Sequence, residues 1–291
     1  MQLGGIETGG TKFVCAVGTE AGEIVARKSI PTESPAKTIA AVAEFFREHP
    51  DVGAIGIAAF GPVDLAPASP TYGYITMTPK VAWRNFDIVN AVRKATGVER
   101  IAIDTDVNGA AYGEHRWGAA RGLETFLYLT VGTGIGGGGM ANGRLLHGLA
   151  HPEMGHIRIP HDLIRDPFPG SCPSHRDCLE GLASGEAIRQ RWNIAGEFLP
   201  PEHPAWALEV EYLSLALANF TLTLSPERIV IGGNVMRGLD WTILREGMRL
   251  VLSGYLQIPA ILEQMDTFIV PPVLGGDAGV LGAIALASDA V

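Results

Sequence analysis

The chain has 291 residues, 47% of them apolar and 18% charged, enough to bury two domain cores and too apolar for a disordered protein. Its 22 basic and 31 acidic residues leave a net charge of −9, which argues against broad binding to a nucleic-acid backbone. The N-terminus MQLGGIETGG lacks the basic and apolar regions of a signal peptide, no run of about 18 apolar residues exists to span a membrane, and three cysteines do not make a disulfide framework, so a cytoplasmic protein is expected.

The first stretch reads as strand, glycine turn, strand: LGGIE, then TGGT, then KFVCAVG, with a third strand at GEIVARKSIP. Residues 35–49 read as a helix, because Ile39, Val42, Phe45 and Phe46 recur at helical spacing. The unbroken apolar run VGAIGIAAFGPVD reads as a strand buried on both faces. NFDIVNAVRKATG is a helix closed by glycine, and ERIAID is a short strand after it. The alternation predicts an α/β architecture with a parallel component. The second half repeats the theme in TFLYLTVGTGIGGGGMANGRLLHG, where Gly132-Thr133-Gly134 corresponds to Gly9-Gly10-Thr11. This weak repeat suggests a duplication with one phosphate loop per half. Residues 205–223 read as a long helix, PERIVIGGNVM as a strand ending at Gly232-Gly233, and residues 270–291 as a loop and helix with Asp277 as N-cap.

Thirty-seven glycines without a collagen-like period point to tight turns. A phosphate needs several backbone N–H groups converging on it, and glycine lets the chain come that close. Thr8, Thr11, Thr130 and Thr133 add hydroxyls and Lys12 a cation. A single such turn is as easily a plain hairpin. Two matched turns, with Gly232-Gly233 and Gly275-Gly276 following apolar strands, favour nucleotide binding. Neither a Gly-Lys-Ser/Thr loop nor a G-x-G-x-x-G opening a helix is present.

Residues 147–181 interrupt this order with dense proline, poor periodicity, five histidines (His147, His151, His156, His161, His175) and two cysteines. A segment so poor in apolar residues needs another source of order, and a metal supplies one. Cys172-x-x-His175-x-x-Cys178 offers three ligands, and His156 a fourth, with His151 and His161 as nearby alternatives. Two thiolates and two imidazoles suit tetrahedral zinc. Cys15, between Val14 and Ala16, reads as core packing. Asp104 and Asp106 lie at the C-terminal end of a strand before a helix, where α/β sheets bind ligands. Asp104 reads as a helix cap. Asp106 reads as a base that the helix N-terminus keeps ionised.

Together these motifs resemble the ROK family of sugar kinases (repressors, open reading frames, kinases) over essentially the whole chain. GGIETGGTK and LTVGTGIGGG are similar to its two phosphate loops, GPVD at 61–64 to its substrate-side loop, and DTDVNGAAYGE to its catalytic segment. PEMGH at 152–156 is similar to its Glu-x-Gly-His motif, and CPSHRDCLEGLASG to its zinc motif. Glu7 stands where Asp is usual, Thr105 where Asn is usual, and His175 where a cysteine is usual; His151-Pro152 replaces Ala-Gly, and Phe60 precedes Gly-Pro. That combination resembles the bacterial fructokinase branch.

The resemblance implies an actin-like ATPase fold, with two α/β domains closing over a cleft. The domains would be 1–117, joined by the C-terminal helix 278–291, and 118–277, carrying the insertion 147–181. It implies transfer of the ATP γ-phosphoryl group to a fructose hydroxyl, with Asp106 as base. It also implies magnesium reached by Glu7 through water, a structural zinc and a homodimer. Gly61, Asn85, Thr105, Glu153, His156 and Glu180 would face the sugar, and His156 would serve both zinc and sugar. Glucokinase, mannokinase and N-acylmannosamine kinase activities are the nearest alternatives. A repressor would need a DNA-binding domain ahead of residue 3, and a sensor without chemistry would not need Asp106 and both phosphate loops.

Overall fold

A computed structural model describes residues 1–290. The chain begins with β1 (Gln2–Thr8), β2 (Lys12–Gly18), β3 (Ile24–Pro31), α1 (Pro35–Arg47) and β4 (Val52–Ala59). The short pair β5 (Tyr74–Ile75) and β6 (Phe86–Asp87) leads to α2 (Ile88–Thr96), β7 (Ile101–Thr105) and α3 (Asp106–Trp117). Then come β8 (Phe126–Val131), β9 (Ile135–Ala141), β10 (Arg144–Leu145), α4 (Leu179–Ala183), α5 (Gly185–Trp192) and α6 (Ala205–Leu224). The last elements are β11 (Arg228–Gly232), α7 (Trp241–Leu252), α8 (Pro259–Leu262), α9 (Met265–Phe268), β12 (Ile269–Val270) and α10 (Ala278–Asp289). No helix among the described residues is long and apolar enough to cross a membrane.

Two compact units result. One holds residues 1–122, Leu145–Pro152 and the chain from Val273 onward; the other holds Leu123–Arg144 and Glu153–Pro272. The repeat seen in the glycine turns extends to whole sheets. The strand orders are β3-β2-β1-β4-β7 and β10-β9-β8-β11-β12. In each sheet a glycine turn joins an antiparallel hairpin, β1–β2 or β8–β9, and two further strands run parallel to the first.

In the first unit both faces of the sheet are covered, which is why β4 is apolar almost throughout. Val42, Phe45 and Phe46 of α1 pack with Ile6, Phe13 and Ile57 on one face. Val280, Leu281 and Ile284 of α10 pack with Leu3, Val14 and Ala54 on the other. Helix α10 also crosses α3 at backbone contact: a Cβ on Gly282 would sit 1.7 Å from the Gly109 carbonyl oxygen. Glycine is required there, and the crossing fixes the helix that Asp106 opens. Cys15 is fully buried, and burial pushes its thiol up to about 12, in keeping with a packing role.

Asp277 occupies the N-cap position of α10, but its side chain makes no capping bond and pairs instead with Arg27. The units divide at 122/123 and 272/273, not at 117/118 and 277/278. Residues 147–152 of the expected insertion belong to the first unit. His147 Nε2 lies 2.8 Å from Asp104 Oδ2, and His151 Nε2 accepts the Val63 N–H at 3.2 Å. The rest of the insertion is ordered by more than cysteine and histidine. Buried Asp166 accepts hydrogen bonds from Arg191 Nε and Nη2 (3.1 and 3.0 Å) and from Tyr212 Oη (2.6 Å).

Candidate functional site

In the first unit, the turn after β1 closes with the Gly9 N–H donating to the Lys12 carbonyl at 2.9 Å. Thr32 braces it: its N–H donates to the Thr11 carbonyl and its hydroxyl to the Gly9 carbonyl at 2.7 Å. Gly10, Thr11 and Lys12 are exposed. The buried Thr8 hydroxyl accepts the Phe60 N–H at 2.9 Å and ties β1 to the end of β4. Glu7 is largely buried beside Gly279 of α10. Burial lifts its carboxyl above the usual value, against the pull of Arg27 and Lys12. A desolvated carboxylate of this kind fits a cation opposite it. Gly275 and Gly276, just ahead of α10, face open space.

The carboxylates separate by role. Asp106 is the first residue of α3, with Oδ1 accepting the Val107 N–H at 2.9 Å. Thr105 is the N-cap: its buried hydroxyl accepts the Asn108 N–H at 3.1 Å. Asp104 therefore does not cap the helix, contrary to expectation. Its Oδ1 accepts from Asn108 Nδ2 at 2.9 Å and its Oδ2 meets His147 Nε2 at 2.8 Å. That hydrogen bond raises the His147 pKa above its ordinary 6.5. Gly61 borders the His151 ring, and Asn85 is exposed with φ +54° ahead of β6.

In the second unit, the Gly132-Thr133-Gly134 turn is held differently. The Gly185 and Glu186 N–H groups, opening α5, donate to the Gly132 and Thr133 carbonyls at 2.7 and 3.2 Å. Glu180 Oε2 accepts the Ile135 N–H at 2.9 Å, so close that a Cβ on Gly134 would lie 2.5 Å from that oxygen. Glu180, expected only at the sugar, thus buttresses the second turn. Thr130 is the penultimate residue of the strand leading in, and Gly233, at φ +102°, approaches Val131 closely. A cavity of about 1080 Å³ opens beside this turn, lined by Gly132, Thr133, Arg189, Asn234 and Arg237 among others. Its size suits a nucleotide. Arg189, Asn234 and Arg237 carried no sequence signal, because a cavity wall has no spacing rule.

The cysteines and histidines also converge. His156 Nδ1 lies 3.7 Å from Cys172 Sγ and 3.5 Å from Cys178 Sγ, and His175 Nδ1 lies 3.7 Å from Cys172 Sγ. The four donor atoms lie within 4.8 Å of one another. Donors about 2.0–2.3 Å from a tetrahedral zinc stand about 3.3–3.8 Å apart, so the set fits that ion. His156 completes it, since His151 bonds Val63 and His161 is buried against Asp166. Burial pushes the Cys178 thiol up to about 11, a cost that a bound cation reverses. His156 Nε2 points away from the thiols, 4.0 Å from Glu153 Oε2.

The sequence profile described as the ROK family matches residues 3–290. The chain belongs to the ROK family. It is 44% identical to a fructokinase of Zymomonas mobilis, over 98% of this chain and 95% of that one. It is 41% identical to a fructokinase of Pediococcus pentosaceus, over 100% and 99%. Among solved structures, the ROK family glucokinase of Streptomyces griseus in complex with glucose and AMPPNP superposes with a TM-score of 0.77 at 25% identity, over 99% and 100% of the two chains. The fold is the actin-like ATPase fold, and the chain is an ATP-dependent sugar kinase. Within this ROK kinase, Thr105 in place of the usual Asn leaves a hydroxyl that the helix cap already uses.

Proposed function

We propose that this kinase transfers the ATP γ-phosphoryl group to the 6-hydroxyl of fructose, with Asp106 as general base. The reading rests on full-length identity of 41–44% to fructokinases. Phosphoryl transfer asks a protein mainly for positioning and charge neutralisation. Asp106 accepts the hydroxyl proton as the sugar oxygen bonds to phosphorus and the bridging oxygen leaves with ADP. Gly9, Gly10, Thr11 and Lys12, with Thr130, Gly132, Thr133, Gly134, Gly232, Gly233, Gly275 and Gly276, hold ATP. Thr8 supports this work through Phe60. Gly61, Asn85, Thr105, Glu153, His156 and Glu180 are the proposed sugar-side residues; buried polar contacts of this type discriminate because a missing hydroxyl leaves one unpaired.

Two metals complete the proposal. Magnesium, near Glu7, supplies charge neutralisation to the phosphates when bound. Zinc on His156, Cys172, His175 and Cys178 is structural, and it orients Glu153 and Glu180 through their neighbours. A homodimer in the cytoplasm is the proposed state, testable by sedimentation. Comparing kcat/KM for fructose, mannose, glucose and N-acetylmannosamine tests the substrate. Fructose is expected to lead, and a glucose preference overturns the reading in favour of the glucokinase branch.

A further inference from the structure

A second cation, Lys80, lies beside the first turn. Lys80 lies in the loop between β5 and β6, and its Cε sits 3.4 Å from the place a Cβ on Gly10 would occupy. The lysine stem therefore runs alongside the exposed glycine of the turn. Neither Lys80 nor Lys12 pairs with a carboxylate among the described residues, although acidic residues outnumber basic ones in the chain. Lys12 at the exit of the turn and Lys80 alongside Gly10 give this exposed tight turn the positive charge that an anion seeks.

The position of Lys80 is built, not incidental. Its carbonyl accepts the Trp83 N–H at 2.8 Å, and Arg84 Nε donates to the Thr78 carbonyl at 2.7 Å, closing the segment on itself. Trp83 is 1% exposed and packs against Phe13, Phe60 and Phe86 with ring centroids 5.1, 6.0 and 5.1 Å away. Phe13 follows Lys12 at the exit of the turn. Trp83 Nε1 donates to the Glu33 carbonyl at 2.9 Å, next to the Thr32 that braces the turn. One buried indole thus joins the Lys80 segment to both sides of the first turn. A lysine that served only solubility would need no such anchoring.

We propose that Lys80 binds the transferable phosphoryl group, holding the γ-phosphate over Gly10 and neutralising charge that develops as it moves to the sugar. The proposal rests on reading the first turn as a phosphate loop. Lys80 forms no covalent bond: the sugar oxygen bonds to phosphorus, the bond to the bridging oxygen breaks, the hydroxyl proton goes to Asp106, and ADP leaves.

The test measures binding of AMPPNP and of ADP, each with magnesium and without sugar, to wild type, Lys80→Met and Lys80→Arg. Loss of one charge-assisted contact to the terminal phosphate lowers AMPPNP affinity about 10- to 100-fold in Lys80→Met. ADP affinity changes little, kcat falls, the KM for sugar holds, and Lys80→Arg recovers part of the loss. Lys80 is exposed, so its variants are expected to melt with wild type. Equal loss for both nucleotides, no loss for either, or a rise confined to the sugar KM overturns the role of Lys80. A wild type that binds neither nucleotide instead overturns the phosphate-loop reading beneath it.

Discussion

The two units share a strand order and a glycine turn in the same place, yet they stabilise those turns by different means. The first turn is braced by backbone and by Thr32, with cations beside it. The second turn is braced by a carboxylate, Glu180, and by the opening of α5. The first unit is a sheet covered on both faces by apolar helices. The second has a proline-rich insertion that relies on buried charge pairs and a Cys/His cluster. The two units thus share a common frame. The first copy has the proposed base, Asp106, and the second has the cavity and the Cys/His cluster.

The largest expected effect tests whether the base belongs to the first unit. Asp106→Asn is expected to lower kcat by about 10²–10⁴-fold with melting unchanged, because an amide of the same size cannot accept the proton. Steady-state kinetics beside a thermal melt decide it; retention of more than about a tenth of the activity assigns the base elsewhere.

Next comes the helix crossing that supports Asp106. Gly282→Ala places a methyl group against the Gly109 carbonyl, and such overpacking costs about 1–3 kcal/mol. Denaturant unfolding is expected to show that loss together with a lower kcat, since α3 must shift. An unchanged midpoint would show that the crossing is not tight in solution.

A smaller effect sharpens the contrast in the second unit. About one zinc per chain is expected by elemental analysis, and less in Cys172→Ser. Glu180 follows Cys178 by two residues and bonds the second turn. Metal loss is therefore expected to weaken nucleotide as well as sugar binding, the former by about tenfold, the worth of one charged hydrogen bond. Separate titrations that show a loss for sugar alone would break the link through Glu180.

The smallest effect concerns pH. Asp104 raises the His147 pKa above 6.5. The stability this pair contributes is complete below the unfolded value and is lost as pH rises through the raised one. Unfolding free energy of the wild type is expected to fall across that interval above pH 6.5, and His147→Gln to flatten the slope. Parallel curves for the two proteins would remove His147 from the account. The effect is modest because the imidazole is 43% exposed and screened by solvent.

Short-range chemistry was legible in the residues themselves. The strand–turn–strand pattern, the buried run of β4, Asp106 ahead of a helix, and Cys172, His175 and Cys178 in seven residues are all local. Hydrophobic periodicity and ligand spacing act over one turn or one loop, so a single sequence displays them. Asp104 resembles a cap in sequence for the same reason: its partner His147 is 43 residues away, and nothing local announces it. The tie between the Thr8 hydroxyl and the Phe60 N–H spans 52 residues and is equally silent in the sequence.

The sequence by itself determined the α/β class, the two glycine turns, the place of Asp106 at the start of a helix and the Cys/His cluster, because each follows from residue type and short spacing. Only the tertiary structure decided that both sheets share one strand order, and that Glu180 braces a turn. It alone placed Lys80 beside Gly10 and made Asp166, Arg191 and Tyr212 hold the insertion. Those facts depend on which strands pair and which faces are buried. Such choices are set by the packing of the whole core, in which residues far apart in the chain become neighbours.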